Sequence, residues 1–391
     1  MQAHYANRIT NLSESITIAI STLARELKAQ GKDILSFSAG EPDFDTPKAV
    51  KDLAIAAIQN GFTKYTAPAG IPELLTAISQ KLERDNHLSY SAKEIIVSSG
   101  AKQALFNVFQ ALIDNGDEVI IPSPYWVTYP ELVTYSNGKN VFIETSQENN
   151  FKITKDQLKA AITPKTKMLV LTSPSNPTGM VYSRQELEEI ADTLKGTNIW
   201  VLSDEIYEKL VYEGNFTSSG SISADMLERT ITINGLSKSA AMTGWRMGYL
   251  ATKDQKLRQY INGLQGQSIS NVNSITQKAA IAGLDGSIDK DIAEMCAAFK
   301  QRRDIACEKL NAIKGLKVSK PDGAFYLFVN CSALAQDSME FCKNMLEKVG
   351  VAVVPGIGFG MDGYFRFSFA TDLASIEKGI ERIASFCASM K

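Results

Sequence analysis

Lys167-Met-Leu-Val-Leu-Thr-Ser173 and Asn198-Ile-Trp-Val-Leu-Ser-Asp204 are short β-rich runs, with a helix-forming stretch at 184–195 between them. Strand, helix, strand is the unit from which a parallel sheet is wound. The alternation extends both ways. Upstream lie Glu94–Ser98, Glu118–Pro122 and Asn140–Thr145, with a helical stretch at 101–113. Downstream lie Thr230–Asn234 and Gly248–Thr252, with a helical stretch at 254–265. The predicted fold class is α/β, with a large, doubly wound, mainly parallel sheet. In such sheets ligands bind at the carboxyl ends of the strands.

The texture changes near residue 291. A long charged helix is expected from Asp291 to about Ile313, then β-rich pieces at 316–319, 325–329, 351–354 and 364–369, and a last helix at 373–388. This reads as a smaller α+β domain. Residues 17–30 have helical spacing and stop at Gly31. That N-terminal helix is expected to pack with the smaller domain. The expected partition is 45–290 for the large domain, and 1–44 with 291–391 for the small one.

The chain has 391 residues, 44% hydrophobic and 21% charged. At roughly 150 residues per domain this suits two or three domains with a large core. Net charge is −2, which gives no reason to expect nucleic-acid binding or a basic membrane patch. The five cysteines include no CxxC pair, so a disulfide framework or zinc site is not expected and a reducing, cytoplasmic compartment fits. The first residues lack a basic end followed by an apolar stretch, so no signal peptide is expected. The only histidines, His4 and His87, lie near no plausible partner motif.

Gly235-Leu-Ser-Lys-Ser-Ala-Ala-Met-Thr-Gly-Trp-Arg-Met-Gly248 carries the chemistry. A strand ending at Asn234 delivers a small loop with Ser237 and Lys238, and Arg246 follows. An amine, a hydroxyl and a guanidinium beside tight glycines can hold a phosphorylated aldehyde. The lysine would form a Schiff base, and the serine and arginine would bind the phosphate. A lone lysine near a turn is usually a surface residue; the whole stretch is more specific.

That stretch resembles the cofactor-attachment pattern of the class I aminotransferases that use pyridoxal 5′-phosphate (PLP). Ala39-Gly-Glu-Pro-Asp-Phe-Asp-Thr-Pro47 is similar to the bacterial branch of the aspartate-aminotransferase family, subgroup Ib, and the resemblance runs over nearly the whole chain. It implies PLP-dependent transferase fold type I, PLP as cofactor, and a homodimer with shared active sites. It also implies transfer of the amino group of L-aspartate to 2-oxoglutarate in a ping-pong cycle, with an aromatic amino acid or prephenate aminotransferase as the alternative.

The resemblance also assigns residues. Lys238 carries the cofactor and moves the α-proton. Asp204, in Val201-Leu-Ser-Asp-Glu-Ile-Tyr207, pairs with the pyridine nitrogen, since PLP is an electron sink only while that nitrogen stays protonated. Taken alone, an aspartate at a strand end is more often a helix cap. Glu205, one position off, is expected to point elsewhere. Tyr207 and Asn176 reach the ring oxygen, although Ser173-Pro-Ser-Asn-Pro-Thr-Gly179 also reads as a turn. Gly100, Ala101 and Lys102 form a strand-to-helix turn whose amides suit a phosphate. Trp126 stacks on the ring and contacts substrate. Arg366, in Tyr364-Phe-Arg-Phe-Ser368, grips the substrate α-carboxylate in a two-bond fork, and Gly40 lets backbone approach the same group. Tyr65 reaches the phosphate of the partner subunit.

Substrate choice is carried by an absence. The segment Gly263-Leu-Gln-Gly-Gln-Ser-Ile-Ser270 lacks the arginine that other branches use for a distal carboxylate. In the branch resembled here Lys102, Ser15 and Thr17 take that role. Members that use prephenate often carry Lys-Pro where this chain has Ser13-Glu14. Ser99-Gly-Ala-Lys102 also fits a Ser-x-x-Lys acyl-transfer motif, but the accompanying motifs are poor or missing. Gly356-Ile-Gly-Phe-Gly360 opens no βαβ unit, so a dinucleotide site is not expected.

Overall fold

The computed structural model describes residues 4–13 and 16–390. After a short strand β1 (Leu35–Ser36), the large sheet takes seven strands: β2 (Ile95–Ser98), β3 (Glu118–Ser123), β4 (Lys139–Glu144), β5 (Thr166–Thr172), β6 (Trp200–Asp204), β7 (Thr230–Gly235) and β8 (Gly248–Ala251). Their spatial order is β2-β8-β7-β6-β5-β3-β4. Only β8 runs against its neighbours, β2 and β7. The α/β, mainly parallel expectation holds.

Successive side chains of a strand point to opposite faces. In β5, Met168 and Val170 join one core with Leu105, Val108 and Phe109 of the helix Ala101–Leu112. Leu169 and Leu171 join another with Leu187 and Ile190 of the helix Arg184–Leu194. Helices on both faces explain why these strands are apolar throughout rather than alternating.

The last third of the chain builds β9 (Lys317–Val318), β10 (Tyr326–Asn330), β11 (Val351–Ala352), β12 (Val354–Pro355) and β13 (Tyr364–Ser368). Strands β12-β13-β10-β9 form an antiparallel sheet, and β11 pairs in parallel with β1. The run read as one strand over 351–354 thus serves two sheets, changing partner at Val353. Phe365 and Phe367 enter a core with Phe325, Phe299 and Phe37. Arg366 between them must face the other way. The N-terminal helix, Ile16–Ala29, packs Ala24 with Ile34, Leu346 and Ala352, as expected. The long charged helix runs Asp289–Asn311 and the last Leu373–Ala388.

Candidate active site

The carboxyl ends of the parallel strands open on one cavity of about 460 Å³. Strand β6 ends in Asp204, and the loop after β7 brings Ser237 and Lys238. The loop after β5 brings Asn176, and the loop after β3 brings Trp126. Strand β2 leads to Ala101 and Lys102 at a helix start. The small sheet contributes Arg366 from β13. Tyr207, Arg246, Gly40 and Thr17 also line the cavity, and Gly100 caps the helix that begins at Ala101. Ser15 lies outside the described residues. Tyr65 is not brought into this cavity; it is 89% exposed on the surface of its own chain.

Lys238 donates from Nζ to the Gly40 carbonyl. Burial strips water from its ammonium, and Arg366 and Arg246 add repulsion that Glu41 and Asp204 only partly offset, so its pKa falls to about 8. Asp204 is 3% exposed, and burial pushes its pKa up to about 6 against the pull of Tyr129, the Ile206 amide and Lys238. Its Oδ2 accepts a 2.7 Å hydrogen bond from the Tyr129 hydroxyl, and Oδ1 accepts a 3.3 Å one from the Ile206 amide. Glu205 turns to the opposite side of the sheet, as expected. There its Oε1 accepts from Ser203, Ser218 and the Ser219 amide. Burial raises its pKa to about 7.

Arg366 is 2% exposed. Its Nη1 donates to Asn176 Oδ1 at 2.9 Å and its Nη2 to the Ser38 carbonyl at 2.8 Å. Its Nε has no partner. Its guanidinium lies 4.3 Å from the centre of the Tyr326 ring. Among the described residues no carboxylate pairs with it within 4 Å. A buried, unneutralised guanidinium is costly by itself, so this one is poised for an incoming anion. With its carboxamide oxygen committed to Arg366, Asn176 keeps its NH₂ group as the end available to a ligand. Tyr207 and Tyr326 place their hydroxyls 2.8 Å apart, and burial raises the Tyr207 pKa well above 10.

The opposite corner suits an anion of a different kind. Gly100 has φ +80°, and a Cβ there would run into the Arg246 guanidinium. A Cβ on Gly248 would strike the backbone of Ala101. These two glycines let Arg246 and β8 close onto the first amides of the helix, where its dipole favours negative charge. Arg246 is anchored by Nη1 on the Thr243 carbonyl at 2.8 Å but stays exposed. The Lys102 Nζ sits 4.8 Å from the centre of the Trp126 ring. Its pKa is lowered, first by burial and then by Arg246.

Sequence reasoning missed Tyr129, Tyr326 and the Ser38 carbonyl. Tyr129 falls three residues after Trp126 in Tyr125-Trp-Val-Thr-Tyr129, a helical spacing that would have put both on one face. Nothing in Phe325-Tyr326-Leu327 distinguishes Tyr326 from core.

The model of "Aminotransferase class I and II" matches residues 32–383, and the chain belongs to that family. A curated relative, the aspartate aminotransferase of Bacillus sp. strain YM-2, is 48% identical over 99% of this chain and all of its own length. Another, a probable aspartate/prephenate aminotransferase of Rhizobium leguminosarum bv. phaseoli, is 44% identical with both chains fully covered. Among solved structures, the Thermus thermophilus aspartate aminotransferase with maleate superposes with a TM-score of 0.95 at 42% identity, covering 98% of this chain and 100% of that one.

Proposed function

We propose that this enzyme transfers the amino group of L-aspartate to 2-oxoglutarate with pyridoxal 5′-phosphate as cofactor, giving oxaloacetate and L-glutamate. The observation that carries the reading is Lys238, a lysine with a pKa near 8 lining the same cavity as a buried aspartate and a buried, carboxylate-free arginine. The relatives named as aspartate aminotransferases support the substrate, as does the maleate, a dicarboxylate, bound by the Thermus enzyme.

The residues fit the cofactor. Gly100 and Gly248 leave a cradle that any Cβ would fill. The amides of Ala101 and Lys102, the Ser237 hydroxyl and Arg246 would hold the phosphate there. Trp126 would cover the ring, Asp204 would meet its nitrogen, and Tyr207 and Asn176 its hydroxyl oxygen. The chemistry that PLP supplies when bound is an aldehyde for the amino group and a protonated ring to draw off the electron pair of the broken Cα–H bond. Asp204 holds the proton on the ring nitrogen by accepting its hydrogen bond. Lys238, as a free amine, would take the proton from the substrate Cα onto Nζ and hold it there for return two atoms away, at the carbon that the aldehyde supplies. Arg366 fixes the α-carboxylate and so the direction of the Cα–H bond.

The distal carboxylate of aspartate falls to Lys102 with Thr17, joined by Ser15. We further propose a large domain of 45–290, a small one of 1–44 and 291–391, a cytoplasmic location, and a homodimer in which the partner's Tyr65 completes each phosphate site. No helix of the described residues is long and apolar enough to cross a membrane. The Rhizobium relative, named for aspartate and prephenate, supports prephenate as the second reading, beside an aromatic amino acid. Half-reaction spectra of the yellow holoenzyme decide between them. Aspartate and glutamate should bleach the visible band at the lowest concentrations. A stronger response to prephenate's amino product or phenylalanine would overturn the acidic assignment.

A further inference from the structure

Tyr129 and Thr172, which also line the cavity, extend the hydrogen bonding of Asp204. The Tyr129 oxygen lies 2.7 Å from Asp204 Oδ2 and 2.8 Å from Thr172 Oγ1. The direction of these bonds is settled by counting protons. An ionised carboxylate only accepts, and a phenol has a single proton to give. The Tyr129 proton therefore goes to Asp204, and Thr172 must donate to Tyr129. Thr172 and Asp204 are register partners at the ends of β5 and β6. Tyr129 reaches them from the helix Thr128–Tyr135 and is 1% exposed. The sheet thus fixes both ends of the chain, and the helix fixes its middle.

We infer that Thr172 and Tyr129 form a two-hydroxyl chain that orients Asp204, committing Oδ2 to the protein and leaving Oδ1, which takes only the 3.3 Å bond from the Ile206 amide, to meet the ligand, and that keeps this buried carboxyl ionised. Both are positioning residues, acting through Asp204. The titratable groups facing Asp204 are Tyr129 from the helix, Lys238 from the loop after β7, and Tyr207 on its own segment. Burial and the Asp204 charge raise the Tyr129 pKa well above 10, so it remains a donor at working pH. Of the influences that draw the Asp204 pKa back down, the Tyr129 bond is the largest, ahead of the Ile206 amide and Lys238. Losing it should move the carboxyl toward the neutral form.

The inference rests on Asp204 as the partner of the ring nitrogen, but its test does not require the cofactor. In apo-enzyme carrying ¹³C at aspartate carboxyls, the Asp204 signal, identified with Asp204→Asn, should titrate near pH 6. Tyr129→Phe should move the midpoint upward, Thr172→Val should move it the same way by less, and Thr172→Ser should restore it. In the holoenzyme Tyr129→Phe should weaken PLP binding about 10-fold, the loss of one hydrogen bond to a charged group, and shift the acid limb of the kcat profile to higher pH. If Tyr129→Phe does not fold, Thr172→Val decides alone. An unmoved Asp204 titration in a folded variant that binds PLP normally overturns the chain. Failure of PLP to attach to Lys238, with the titration moving as described, would instead overturn the cofactor reading.

Discussion

The two ends of the cavity are built differently. At its floor, Asp204, Tyr129, Asn176 and Arg366 are all buried and bonded to one another or to backbone. At its rim, Arg246, Lys102 and Glu41 are exposed, and Tyr65 stands clear of its own chain's cavity. The floor is complete within one chain. Its groups have surrendered their water and answer to fixed partners, so their charges act at low dielectric. The rim is open, and its charges are screened until something covers them. Substitutions at the floor should therefore cost more than substitutions at the rim.

The largest effect is expected at Lys238. Lys238→Ala should lose proton transfer, about 10²–10⁴-fold in kcat by that role alone. Borohydride reduction of the wild-type holoenzyme followed by peptide mapping should find the cofactor on Lys238 and on no other lysine. Next comes Arg366→Lys, which keeps the charge and loses the fork. At roughly 1.5–3 kcal/mol for a charge-assisted bond, kcat/KM for aspartate should fall about 10- to 150-fold. A loss confined to melting temperature would make Arg366 a structural residue.

At the rim, Lys102→Ala should cost about 10-fold in kcat/KM for aspartate, the low end for a bond made in a wet site. Phenylalanine should lose far less, and equal losses would assign the side chain to the cofactor instead. Tyr65→Phe is expected to weaken PLP retention by about 10-fold, the low end for a hydrogen bond to a charged phosphate. Mixing Tyr65→Phe with Lys238→Ala tests where that tyrosine acts. A dimer of one each has an intact Lys238 beside the other chain's intact Tyr65, so native PLP retention should return at that site. No recovery would place Tyr65 outside the shared site.

The last test is a pH dependence, read on stability rather than on turnover. With its pKa lowered to about 8, apo-enzyme Lys238 sheds a proton between there and 10.5 that the unfolded chain keeps. Unfolding free energy should therefore rise with pH across that window, the full penalty of the buried charge being present below 8. Lys238→Met should flatten the rise. The rate of PLP attachment, which needs the free amine, should likewise level off just above pH 8 rather than climb toward 10.5.

Asp204, Lys238, Asn176 and Trp126 were legible because each follows a readable strand, and the carboxyl ends of parallel strands meet. Arg366 was legible as a charge set between two phenylalanines at strand period. Tyr129 was not, because its bond to Asp204 spans 75 residues; its spacing from Trp126 marks a shared face but does not name that partner. The N-terminal boundary shifted by one residue, and the long helix begins two residues earlier than read, since fraying ends carry little pattern. The helix Thr128–Tyr135 was not read at all. Its proline at 130 breaks the sequence signal, although proline is tolerated in a first turn.

Asp204 and Glu205 differ by one methylene and one step along the chain, yet they occupy opposite sides of the sheet. What assigns them is parity. Along β6, Leu202 and Asp204 share one face and Val201 and Ser203 the other; Glu205, the residue after the strand, continues on the side of Ser203. Deletion of a single residue within β6 would bring Glu205 to the place of Asp204 and turn Asp204 behind the sheet. A change of two residues would keep the face but move Asp204 by about 6.6 Å along the strand. The strand is therefore held twice over, its apolar side chains by the two cores they fill and its register by the place where Asp204 must stand.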